Sequence, residues 1–143
     1  MLLLWLLYDA MKFKAIGDTK AHKLGYLSEL SMVRDLEKGF NYDFIKLPYG
    51  PYSEQLQKDA DWLEEQRLVD SQPFGDGKMF QSSRLGRKLL GDFSSMFVRN
   101  NVFTRKIYAV DSKYASLNTY QLVDVVHQHG HPSDPSVKID EME

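Results

Sequence analysis

Leu2-Leu3-Leu4-Trp5-Leu6-Leu7 is an apolar run with no polar side, ended by Asp9, Lys12 and Lys14. A helix built from it is apolar nearly all round, so it must be covered by its own domain or by a partner chain. The run falls far short of the ~20 residues that a membrane span needs. It also lacks the basic leader and small-residue cleavage site of a secretory signal. The expectation is a buried first helix in a cytoplasmic protein that makes no use of a membrane. The chain has 143 residues, 43% of them apolar, enough for one core of ordinary size. It has no cysteine, which excludes disulfides, thiol catalysis, zinc ribbons and iron–sulfur clusters.

Helix 1 is expected over about Leu2 to Lys14. Gly17-Asp18-Thr19 breaks the chain and offers Asp18 or Thr19 as an N-cap for helix 2, about Lys20 to Glu37, with Gly39 closing it. Phe40 to Leu47 favours an extended chain, stopped by Pro48 and Gly50-Pro51. Pro51 suits the first turn of helix 3, Ser53 is a capping residue, and Tyr52, Leu56, Ala60 and Leu63 mark the inward face. Arg67–Ser71 and Lys78–Ser82, separated by Pro73, Gly75, Asp76 and Gly77, read as a β-hairpin. Ser83 caps a further helix with Leu85, Leu89 and Leu90, and helical patterns return over Val102–Tyr114 and Leu117–His129. The predicted fold is mainly α: a winged helix-turn-helix of three helices and a short β-hairpin wing, with additional C-terminal helices. One domain spans residues 1–129. Residues 130–143, opening with Gly130-His131-Pro132, form a polar tail.

Two segments carry a resemblance. Tyr49-Gly50-Pro51-Tyr52-Ser53, followed by Leu56 and Asp59-Ala60-Asp61-Trp62-Leu63, resembles a motif of the YwgA-like proteins and of the SocA-like Panacea antitoxin domain. Phe80-Gln81-Ser82-Ser83-Arg84-Leu85-Gly86 is similar to the wing strand and capped helix of many winged-helix proteins. Helix 2 departs from the pattern, reading Lys20-Ala21-His22-Lys23-Leu24 where those families tend to carry a Lys-Leu-Gln-Lys-Leu-like run. The resemblance implies a small prokaryotic or phage protein without a catalytic centre. For the Panacea domain it implies an antitoxin that neutralises a partner toxin or delivers it to a protease.

Charge separates two modes of binding. Pro51–Asp70 carries Lys58 and Arg67 against Glu54, Asp59, Asp61, Glu64, Glu65 and Asp70. An acidic helix repels the closely spaced phosphates of a major groove. Ser71–Lys113 is basic, and Lys78, Arg84, Arg87 and Lys88 are candidates for contact with a nucleic-acid backbone. The first reading is therefore a protein-binding module with Tyr49, Gly50, Pro51, Tyr52, Ser53 and Trp62 as its partner-binding set. The alternative is a DNA-binding transcriptional regulator using the basic half.

Other chemistry is weaker. His127, His129 and His131 alternate, yet they start at a predicted helix end where such spacing splays the rings apart. Ser53 lacks a nucleophile elbow, and adjacent Glu64 and Glu65 face different ways on a helix. Gly75-Asp76-Gly77 is a turn, not a phosphate loop. No catalytic residue, metal or cofactor is expected. Self-association through helix 1 and the Leu122–Val126 stripe is a further expectation.

Overall fold

The computed structural model describes residues 2–35, 40–48, 50–75, 77–92, 101–118, 121–122 and 125. The elements are α1 (Leu2–Met11), α2 (Asp18–Arg34), β1 (Ile45–Leu47), β2 (Gly50–Tyr52), α3 (Glu54–Glu65), β3 (Val69–Phe74), β4 (Gly77–Ser82), α4 (Arg84–Asp92) and α5 (Asn101–Tyr114). The protein is mainly α, with two small antiparallel sheets, β1–β2 and β3–β4. Among the described residues no helix is long and apolar enough to cross a membrane. The His127–His131 cluster, the Gly130–Glu143 tail, Gly39 and Tyr49 lie outside the described residues, as does most of Leu117–His129.

α2 is the axis of the fold. Every residue from Ala21 to Leu30 is buried, and α1, α3, α5, β2 and β4 all pack on the helix. One core cluster runs from Leu3 to Leu122. Leu3, Leu4, Leu6, Leu7 and Ala10 of α1 are almost wholly buried by the chain's own elements. Each such leucine contributes about 1.5–3 kcal/mol. Most of this apolar helix is thus taken up by the chain's own elements, while Leu2, Trp5, Tyr8 and Met11 are only partly buried.

Several boundaries differ from expectation, each for a local reason. α2 starts at Asp18, and its N-cap is Gly17, with no side-chain cap. The β4 backbone crosses over this point: a Cβ on Gly17 would lie 2.5 Å from the Lys78 carbonyl oxygen, and the Phe80 amide donates to the Ile16 carbonyl at 2.8 Å. Asp18 still places an acid in the first turn, where the helix dipole favours it. Pro51 belongs to β2, opposite Lys46, rather than to the first helical turn. A two-stranded hairpin consists of edge strands, which tolerate proline's missing donor. Pro73 likewise sits within β3, opposite Lys78, and the hairpin reaches Phe74↔Gly77 before it turns at Gly75, φ +57°. The extended segment before β1 forms a strand only over Ile45–Leu47, because Glu29 captures the backbone upstream of it.

Tyr8 fastens α1 to the far end of the hairpin. Its hydroxyl donates to the Leu68 carbonyl at 2.6 Å and accepts from the Ser83 amide at 2.8 Å. Ser83 Oγ caps α4 by accepting from the Gly86 amide at 2.9 Å, as expected. Gly86 has no room for a side chain: a Cβ there would lie 1.9 Å from the Leu68 oxygen and 2.1 Å from the Tyr8 hydroxyl.

α5 closes the core over α1 and α2. It brings Asp111 into a wholly buried position beside Asp9 of α1, and both Asp111 oxygens and Asp9 Oδ2 lack a formed hydrogen bond. Burial first, then the facing Asp9 carboxyl, push Asp111 up to about 9, with nearby Lys20 opposing. The folded state therefore holds a proton that the unfolded chain loses near pH 4. Stability contributed here is full below that pH and declines as pH rises toward 9. Asp111→Asn keeps the shape and donates an N–H to Asp9. Thermal unfolding should show the variant melting about 5 °C or more above wild type at pH 8, the gap closing toward pH 4.

Candidate functional site

The entry to α3 is built from residues that face inward. Gly50 has φ +125°, a region that favours glycine, and a Cβ there would lie 3.0 Å from Lys23 Cε. Pro51 is buried. Tyr52 stacks on His22 with ring centroids 4.5 Å apart. Ser53 Oγ accepts from the Leu56 amide at 3.2 Å, the N-cap bond foreseen for it, and the residue is fully buried. Gly50, Pro51 and Ser53 thus position α3 and present little surface of their own.

His22 is 3% exposed. Its Nδ1 accepts from the Ser53 amide at 3.1 Å, so Nε2 carries the proton and donates to Gln57 Oε1 at 2.8 Å. The histidine meets Ser53 through the main chain, not through the hydroxyl, and no Ser–His dyad forms. Gln57 passes the network on to Asp61 at 3.0 Å. Burial lowers the His22 pKa, while Gln57, Asp18 and Asp61 oppose. Among the described residues no group of three acidic or histidine side chains is placed to hold a metal.

The outward side of α3 is different. Glu54, Gln55, Lys58, Asp59, Asp61, Trp62 and Glu65 are exposed, while Leu56, Ala60 and Leu63 face the core as predicted; Tyr52, expected on the same inward face, lies in β2 and is partly buried. Trp62 is 54% exposed. It borders a cleft of about 410 Å³ lined by Leu2, Leu3, Phe40, Tyr42, Asp59 and Leu63. Phe40 and Tyr42 stack at 5.5 Å with their planes 13° apart. The Tyr42 hydroxyl donates to Asp59 Oδ2 at 2.5 Å, and burial with the Asp59 charge raises the phenol well above its ordinary range. Sequence reasoning found Trp62 but missed Phe40, Tyr42 and Asp59 as its neighbours. The signal available was the alternation Phe40-x-Tyr42. What brings it to α3 is Glu29, whose two carboxylate oxygens accept from the Phe40 and Tyr42 amides at 3.1 Å each.

The four basic candidates do not form one patch. Lys78 Nζ lies 2.6 Å from Glu64 Oε1 and 3.8 Å from Asp18 Oδ2, and 5.4 Å from the Phe80 ring centroid. Burial lowers the Lys78 pKa, but Glu64 and Asp18 outweigh it and the net shift is upward. Arg84, Arg87 and Lys88 are exposed on α4, with Arg87 donating to Ser82 Oγ at 2.8 Å. No protein-family model, curated protein or solved structure matches the chain.

His22→Phe keeps the ring but leaves the Ser53 amide without an acceptor. Urea unfolding at pH 7.5 should show a loss of about 1–3 kcal/mol. A buried neutral histidine contributes stability above its unfolded pKa near 6.5, and that stability is lost as pH falls through the lower folded value. The variant should therefore lose less stability than wild type between pH 7 and pH 5.

Proposed function

We propose that this protein is a non-enzymatic, winged-helix-like interaction module of the cytoplasm, antitoxin-like or adaptor in role, which binds a protein partner through the outer side of α3. The observation that carries this reading is the acidic, exposed face of α3 with Trp62 half out of the surface beside an aromatic cleft. Half-exposed tryptophans next to a pocket are the usual energetic anchors of protein interfaces. The same face would repel a phosphate backbone. The element order α2, α3, β3–β4 hairpin supports the winged-helix comparison, as does the Tyr49–Ser53 motif.

A second reading rests on α4. Arg84, Arg87 and Lys88 are exposed within one nine-residue helix, which suits a phosphate contact in a transcriptional regulator. Lys78 adds little to it, being engaged by Glu64 and Asp18.

Tagged protein incubated with nuclease-treated lysate of its own cells should retain one stoichiometric protein. Trp62→Ala should reduce that retention at least about tenfold, with its circular dichroism and Tm unchanged. Equal retention by the variant would place the interface elsewhere. A duplex-DNA mobility shift abolished by Arg87→Glu with Lys88→Glu would support the regulator instead.

A further inference from the structure

We infer that the cleft beside Trp62 is a receptor for a single lysine or arginine side chain of the partner, held between the aromatic walls and the Asp59 carboxylate. This deepens the proposed function and rests on α3 being the interaction face.

The cleft has three chemical components. Phe40, Tyr42 and Trp62 supply aromatic surface, Leu2, Leu3 and Leu63 supply hydrocarbon, and Asp59 supplies the charge. Among the described residues no basic side chain lines it. Lys58, one residue before Asp59, is turned to Glu54, 3.4 Å away on its own helix. The Phe40 and Tyr42 rings are held before any ligand arrives. Glu29 fixes the backbone at Phe40 and Tyr42, and Asp59 fixes the Tyr42 hydroxyl. Asn41 between them adopts φ +61°, which sends Phe40 and Tyr42 onward as a stacked pair.

Each class of occupant makes a different demand. A purely apolar side chain would cover Asp59 and remove it from water without a partner, which is costly. An anion would meet Asp59, with Asp61 and Glu65 exposed on the same helix. A metal ion needs several oxygen ligands, and the side chains of the walls other than Asp59 and the already bonded Tyr42 hydroxyl offer none. A lysine or arginine satisfies every surface at once. Its stem lies on leucine and ring faces, its cation sits against the aromatic quadrupoles, and its N–H groups reach the carboxylate.

The test uses the full chain, labelled with ¹⁵N, and the side-chain indole N–H signals of Trp5 and Trp62. Three capped tripeptide amides are titrated: Leu-Lys-Leu, Leu-norleucine-Leu and Leu-Glu-Leu. Norleucine has the lysine stem without its charge. The expected result is a shift of the Trp62 indole signal with the Trp5 signal unmoved. The lysine peptide should bind about tenfold or more tightly than the norleucine peptide, and the glutamate peptide most weakly. Asp59→Asn should erase the lysine preference while leaving norleucine binding in place. Norleucine binding as tightly as lysine, or a Trp62 signal that does not move, would overturn the proposal. If partner retention still depends on Trp62 while the peptides show no lysine preference, the receptor is wrong and the α3 interface stands. If the peptides show the preference but Trp62→Ala retains the partner normally, the receptor stands and the interface assignment fails.

Discussion

Polar side chains on a buried helix are costly unless other segments come to meet them. α2 carries several: His22, Lys23, Ser28 and Glu29 are all buried, and Lys20 is partly so. Three of them recruit a different stretch of chain. Lys20 Nζ donates to the Ala115 carbonyl at the end of α5. His22 takes the Ser53 amide at the start of α3 and passes its proton side to Gln57. Glu29 takes the amides of Phe40 and Tyr42. The apolar core sets how tightly these elements pack, but the polar groups of α2 decide which residues lie where. An unmet polar group in that position costs more than a hydrogen bond gains, so these contacts specify one arrangement of the chain rather than merely adding to its stability.

The outer surface of α3, the proposed interaction face, follows from that arrangement. α3 is fixed at its N-terminus by His22 and Ser53 and along one side by Leu56, Ala60 and Leu63, so its rotation about its own axis is settled. Trp62 is then carried outward one residue before buried Leu63. Glu29 independently sets Phe40 and Tyr42 against the same helix. The cleft is the place where these two consequences of α2 meet, and Tyr42 joins them by bonding to Asp59. A surface built this way loses little conformational freedom when a ligand binds, the property that turns modest contact area into affinity.

Local periodicity made some of this legible from the sequence. Leu56, Ala60 and Leu63 at helical spacing, Ser53 and Ser83 as caps, and Trp62 off the inward stripe all follow from rules that act within one turn. The failures came where a distant segment overrode a local preference. Asp18 and Thr19 are good capping residues, but β4 crosses so close to Gly17 that the chain there takes the one residue with no side chain. Pro51 is suited to a first helical turn, yet pairing with Lys46 holds it in a strand. Lys78 reads as a free cation, and only the fold brings it to Glu64 and Asp18. His22 on a charged-looking stretch of helix gives no local sign of burial. Apart from Pro51, whose strand partner Lys46 is close in sequence, the deciding partner lies more than ten residues away, beyond the reach of a local pattern.

The position of Lys78 also shapes the electrostatics of the whole surface. It is drawn down by two acids and lies over Phe80, so it cancels acidic charge near the root of α3 instead of extending the basic surface of α4. Hydrogen bonding to Lys78, ahead of burial, which opposes it, holds Glu64 below the usual carboxylate range, so this pairing persists across the neutral range. The acids that remain outward on α3 are Glu54, Asp59, Asp61 and Glu65, and the cations that remain outward on α4 are Arg84, Arg87 and Lys88. The hairpin between them is closed by the neutralised pair. Two faces of opposite sign are thereby kept separate on one small protein. A cationic partner of the proposed kind would be steered toward the acidic side, and salt would weaken that steering because exposed charges more than about 8–10 Å apart are largely screened.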